Sequence, residues 1–147
     1  MVEILSAFLA PLSVVITLTI LVLQYRLASY RWKLDLHDKR FPAYLAAMEY
    51  IRFVIQSGNM TDEEMRRFLK ESRDKDLLFG DEIQKHIDQL WRKGETFMLL
   101  HKRLERETND VERNRLIDET GKGFEWFEHQ HDVTKQLFSK YLKIDKK

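Results

Sequence analysis

Residues Ile4 to Leu23 run for twenty positions without a charge: ILSAFLAPLSVVITLTILVL. Fifteen of them are apolar, one is Pro11 and four are Ser or Thr. As a helix, twenty residues rise roughly 30 Å, which is the thickness of a bilayer's hydrocarbon layer. The core helix of a soluble domain rarely stays free of charge over such a length. A cleaved signal peptide begins with positive charge and ends in a small-x-small site, whereas the only side-chain charge ahead of this run is Glu3. The run therefore reads as an uncleaved transmembrane helix.

The flanks give it a direction. Arg26, Arg31 and Lys33 follow closely, and no Lys or Arg precedes. The positive-inside rule then places the N-terminus outside and the C-terminal part in the cytoplasm. Tyr25, Tyr30 and Trp32 suit the interface on that same side. Pro11 forfeits one helical hydrogen bond, so it should kink the helix or mark its first turn. Ser6, Ala10, Ser13, Thr17 and Gln24 recur at steps of 4, 3, 4 and 7, a heptad stripe in which Ile20 is the apolar member. Small and hydroxylated residues on one face let membrane helices approach and bond to one another, or line a narrow pore in a ring of helices. Hydroxyls that bond back to their own backbone are the plain alternative.

Composition narrows the rest. There is no Cys, which removes disulfides, thiolate metal ligands and thiol nucleophiles. Lys and Arg number 25 against 24 Asp and Glu, a net charge of +1 that argues against a nucleic-acid-coating protein. From Tyr25 to Arg40, five cations (Arg26, Arg31, Lys33, Lys39 and Arg40) face Asp35 and Asp38, a basic collar suited to anionic headgroups. Beyond the run, strand formers are scarce, and apolar spacing is helical throughout.

Residues 24–40 read as a continuation of the membrane helix, with Leu27 and Leu34 prolonging the heptad stripe. Pro42 is expected to open a second helix, with Phe41, Tyr44, Leu45, Met48, Ile51 and Ile55 inward, stopped by Gly58-Asn59. Thr61 and Glu64 make a capping-box pattern for a third helix. Leu77-Leu78-Phe79-Gly80 forms an apolar knuckle, and Asp81 is expected to cap a fourth helix with Ile83, Ile87, Leu90, Gly94, Phe97, His101 and Leu104 in strict register. Asn109 can cap the last helix, whose inward set begins at Val111 and which Gly121 and Gly123 weaken. The expected fold is all-α: an N-terminal transmembrane helix continuing into a small cytoplasmic helical bundle with two long antiparallel C-terminal helices. Its divisions are an anchor over 1–26, a juxtamembrane helix over 27–40 and a bundle over 41–147, stiffly joined because no Gly/Pro/Ser-rich linker intervenes.

Chemistry is sparse. No Gly-rich phosphate loop, nucleophile elbow or H-E-x-x-H is present. Glu128-x-x-His131 is one E-x-x-H where a di-iron bundle uses two, so a solvated face is the better reading. His129 and His131 point to different sides of a helix, and His101 sits on the apolar stripe as a seam histidine. No metal, cofactor or catalytic group is expected. Arg31 and His37 form an R-x5-H spacing that resembles the loose signature of HEPN ribonucleases. There the His acts as acid or base and the Arg steadies the phosphorane.

The order of segments also resembles a group of uncharacterised bacterial single-pass membrane-anchored helical proteins. The likeness rests on Lys33-Leu-Asp-Leu-His-Asp-Lys-Arg-Phe41, Tyr44, the Phe-Leu pair at Phe68, Leu77-Leu-Phe-Gly80 and Phe138-x-x-Tyr141-Leu-Lys-Ile144. More distantly the layout is similar to the small membrane accessory proteins of Cas13b-type CRISPR systems, which form pores that support phage defence. That resemblance implies a bacterial inner-membrane location. It makes Ser6, Ser13, Thr17 and Gln24 a pore lining, and Arg31 and His37 a HEPN-like pair. The leading expectation is a non-enzymatic homo-oligomer held in the lipid bilayer. Its alternatives are an anchor that recruits a cytoplasmic protein and a membrane-tethered HEPN-like ribonuclease.

Overall fold

The structure is a computed structural model that describes residues 2–143, with side chains described from Ser13 onward. Among the described residues there is no strand. The order is α1 (Val2–Ser57), α2 (Asp62–Glu71), α3 (Lys75–Leu78), α4 (Asp81–Arg106) and α5 (Asp110–Leu142). The chain divides into two compact units, Met1–Leu36 and His37–Lys147. The division falls within the stretch expected as a juxtamembrane helix. Pro11 lies among the helical residues of α1.

In the first unit α1 is long and apolar enough to cross a membrane, and none of its most apolar stretch is buried within the chain. A soluble core helix would be covered by its neighbours. Here Val14, Val15, Leu18, Leu21, Val22 and Leu23 are all more than half exposed.

The second unit is a helical bundle. α1 does not start anew at Pro42 as expected but runs through it. Proline removes the bond that the Asp38 carbonyl would accept. Asp38 and Pro42 are both exposed, so that carbonyl is not orphaned in the core and solvent can satisfy it. Of the expected stripe, Met48 and Ile51 are buried and Tyr44 and Ile55 pack against the core, whereas Phe41 and Leu45 stay 40% and 42% exposed and Ala43, Ala46, Ala47, Tyr50 and Val54 join the buried face. Three alanines set the helix close to its neighbours, a role that a pattern of large apolar residues does not reveal.

Gly58 ends α1 at φ +65, the left-handed conformation that glycine adopts without strain, and its N–H donates to the Val54 carbonyl at 2.8 Å. Thr61 caps α2 by accepting from Glu64 N–H at 3.3 Å, as its motif predicts. The Glu64 carboxylate, however, turns to Arg67 at 2.6 Å. The α4 cap is Gly80 without a side-chain bond, and Asp81 is the first helical residue. Its charge there complements the helix dipole. Asn109 caps α5 by accepting from Val111 and Glu112 N–H. Val111 itself is 81% exposed, and the inward set begins instead at Leu116.

α4 and α5 run antiparallel, because their contacts pair in reverse order. Lys140 meets Glu82, Thr134 meets His86, Phe127 meets Phe97, and Arg113 donates to the Leu104 carbonyl. Aromatic rings fill the centre. Tyr50 stacks on Phe68 with centroids 4.3 Å apart and tilts against Phe127 at 6.2 Å; Phe138 lies between Tyr44 and Phe79. Two glycines admit this packing. A β-carbon on Gly94 would stand 1.7 Å from the Tyr50 hydroxyl, and one on Gly123 would stand 2.8 Å from the Phe97 ring.

Candidate functional site on the uncovered apolar helix

The polar stripe lies on α1. Ser6 and Ala10 belong to the residues whose side chains lie outside those described. Ser13, Thr17 and Gln24 are exposed. The Thr17 hydroxyl donates to the Ser13 carbonyl at 2.8 Å, and Thr19 donates to the Val15 carbonyl at the same distance. Each threonine thus spends its proton on its own helix and keeps its oxygen lone pairs for a donor elsewhere. Gln24 presents an amide with two donors and an acceptor at the C-terminal end of the apolar run.

Arg31 is exposed on α1. His37 belongs to the second unit, where its ring stacks on Phe41 with centroids 5.8 Å apart and its Nδ1 stands 3.5 Å from Asp38.

Arg40 is the residue that sequence reading misplaced. Grouped with the lipid-facing collar, it is instead half-buried. Its Nε donates to the Leu78 carbonyl at 2.8 Å, and a terminal nitrogen reaches the Tyr141 carbonyl at 3.5 Å. Its guanidinium lies 5.7 Å from the Phe79 ring centre and 5.2 Å from that of Tyr141. It satisfies carbonyls that end α3 and α5 and complements the negative end of the α5 dipole. The only hint of this in the sequence is an arginine one heptad before the buried Ala47.

Within the bundle, His86 is 5% exposed, and its Nε2 stands 2.7 Å from the fully buried Thr134 hydroxyl. Burial pushes its pKa below the ordinary histidine value, because charging it would strand a cation away from water. A group of this sign contributes stability that is fully present above about pH 6.5, the unfolded histidine value, and is lost as pH falls toward the folded value. The urea midpoint of the full chain should therefore drop between pH 7 and pH 5. His86→Leu should flatten that drop while costing about 1 kcal/mol at pH 8 from the orphaned Thr134 hydroxyl. A pH profile identical in the two proteins would refute the assignment.

His101 behaves as a seam histidine, with Nδ1 3.2 Å from the Phe97 carbonyl. Glu128 is exposed, and His131 sits 3.1 Å from Asp132. Among the described residues no three His, Asp or Glu side chains gather to hold a metal. A groove of about 330 Å³ between α4 and α5 is floored by Phe97, Trp126 and Phe127, with the Lys93 ammonium 5.6 Å from the Trp126 ring centre. Its other charges are already engaged, Lys122 with Asp118 and Glu119 with Arg115. The groove has an apolar floor but no convergent polar set to orient a substrate.

Comparison of the chain with known protein families, with curated proteins and with solved structures finds no match.

Proposed function

We propose that this chain is a non-enzymatic, single-pass protein of a bacterial inner membrane that assembles with copies of itself, its N-terminus outside and its bundle in the cytoplasm. The observation that carries the reading is the wholly uncovered apolar stretch of α1. Twenty charge-free residues in water would expose more apolar surface than a soluble chain tolerates, and a bilayer removes that cost. The charge asymmetry of the flanks supports the orientation. The polar stripe at Ser13, Thr17 and Gln24 supports contact between helices, since small and hydroxylated residues on one face let membrane helices approach closely. A pore serving phage defence is the role that the resemblance to CRISPR accessory proteins suggests for such an assembly.

Mass photometry of the full chain in detergent tests the assembly. The expected result is a particle of several protomer masses, and a monomer at every concentration would sink the reading. Reconstituted in liposomes, a pore-forming assembly releases an entrapped dye. Assembly without release would leave a scaffold that gathers bundles to recruit a cytoplasmic protein.

A further inference from the structure

Within the bundle, the outer faces of α4 and α5 sort their charges by sign. On α4, Lys85, Arg92, Arg103 and Arg106 lie on one stripe that advances by steps of 4 and 3 through Gln89, Thr96 and Leu99. Side chains at these steps share one face of a helix. Every member is exposed, and no acid interrupts the stripe. Asp88 and Glu95 stand beside it, and Asp88 is paired with Lys75. On α5 the outer stripe is acidic. Asp118, Glu125, Glu128 and Asp132 follow at steps of 7, 3 and 4, all exposed, with Gly121 between the first two. Lys135, the next step, is the one cation on it.

The two stripes do not neutralise each other within one chain. Both face away from the seam of the hairpin, where His86, Phe97, Phe127 and Thr134 are buried. Asp118 holds Lys122, and Asp132 lies beside His131. Among the described residues Lys85, Arg92 and Glu128 have no ion-pair partner. Isolated pairs on an open surface stabilise little, but arrays of opposite sign orient partners and exclude wrong ones.

The heights of the charges identify the partner. Thr134 stands level with His86, and Phe127 with Phe97. Counted from the first pair along two antiparallel helices, Glu128 is level with Arg92, and Glu125 and Asp132 lie about one turn to either side. Gly121, where an added β-carbon would meet open space, is level with Leu99, which is 50% exposed. Lys135 falls level with Lys85 and is the mismatch. Two copies side by side, the same way up and at one height, therefore set acids around Arg92 and a notch opposite Leu99. Anchoring in one membrane imposes that arrangement and concentrates the copies. An unrelated anionic partner would account for the basic stripe and leave the acidic one unexplained.

We infer that the basic stripe of α4 docks on the acidic stripe of α5 of a neighbouring copy of this chain. The inference rests on the homo-oligomeric reading above and adds the surfaces and the register. The contact joins two different faces, so it repeats from copy to copy and closes into a ring where the rotation allows.

Arg92→Glu and Glu128→Arg, singly and together, would be made in the full chain and followed in detergent by mass photometry at low salt. Both sites are exposed, and an unchanged urea midpoint certifies the fold. Each single variant should raise the concentration of half-assembly several-fold, and the double variant should recover most of the loss. Added salt should weaken the parent in the same direction. Single variants that assemble as the parent does, or a double variant no better than the singles, would overturn the contact and leave the oligomer standing. If assembly is unchanged while the parent binds polyglutamate and Arg92→Glu does not, the basic stripe belongs to an acidic partner and the inference falls. A parent that is monomeric at every concentration would overturn both readings.

Discussion

Gly94→Ala should destabilise the bundle by about 3 kcal/mol, the upper end of what overpacking a core costs. The sign is not obvious, because Ala in a helix interior is favoured over Gly by about 1 kcal/mol. Packing decides it. The new β-carbon would stand 1.7 Å from the Tyr50 hydroxyl and 2.7 Å from the ring carbon that bears it. Tyr50 cannot swing clear, since it is 1% exposed, stacked on Phe68 and tilted against Phe127. Its hydroxyl is buried and unpartnered, and burial together with the Glu95 charge pushes its pKa up. A hydroxyl in that state already costs about 1–3 kcal/mol of desolvation, so Tyr50→Phe alone should be neutral or stabilising. In Gly94→Ala it should restore part of the loss, because the worst clash goes while the 2.7 Å approach stays. Urea unfolding of the four full-length proteins completes the cycle. A stabilising Gly94→Ala, or strictly additive effects, would show that Tyr50 does not rest on Gly94.

That contact also marks the limit of what the chain's letters tell. Gly94 is legible as a small residue on a strict apolar stripe, but not as a notch for one tyrosine about forty residues earlier. The elements themselves were readable where local chemistry is complete in a few residues. The charge-free run, the Gly58 stop and the Thr61 and Asn109 caps each depend on neighbours in sequence. Pro42 was misread because its cost depends on where the orphaned carbonyl points, and the exposed Asp38–Pro42 side leaves that to water. Val111 was misread as core because it sits in the first turn of α5, beyond the reach of packing. The polar stripe was visible as a period, and back-bonding of its hydroxyls was legible as an alternative, which Thr17 adopts. Arg40 was hidden among four other cations because its partners, Leu78 and Tyr141, lie far away in sequence.

Arg40→Ala should lower stability by about 2–3 kcal/mol, from charged hydrogen bonds and stacking lost at a half-buried site. The Leu78 carbonyl would lose its 2.8 Å donor, and the last turn of α5 would lose both a donor and the cation against its dipole. Arg40→Lys should recover only a minor part, because a single ammonium cannot serve two carbonyls on different elements while lying flat between two rings. Fraying should concentrate where the clamp acts, so hydrogen exchange should quicken at 138–143 and 77–80 and stay slow around Phe97. The lipid-facing assignment makes the opposite forecast. Under it Arg40→Ala leaves the urea midpoint unchanged and weakens attachment to anionic vesicles, as Lys33→Ala would. The half-burial of Arg40 and its two aromatic neighbours favour the clamp. With Arg40 removed from the collar, its cations in the first unit are Arg26, Arg31 and Lys33. The same arginine that sequence reading counted toward membrane attachment thus holds the bundle's own helix ends together.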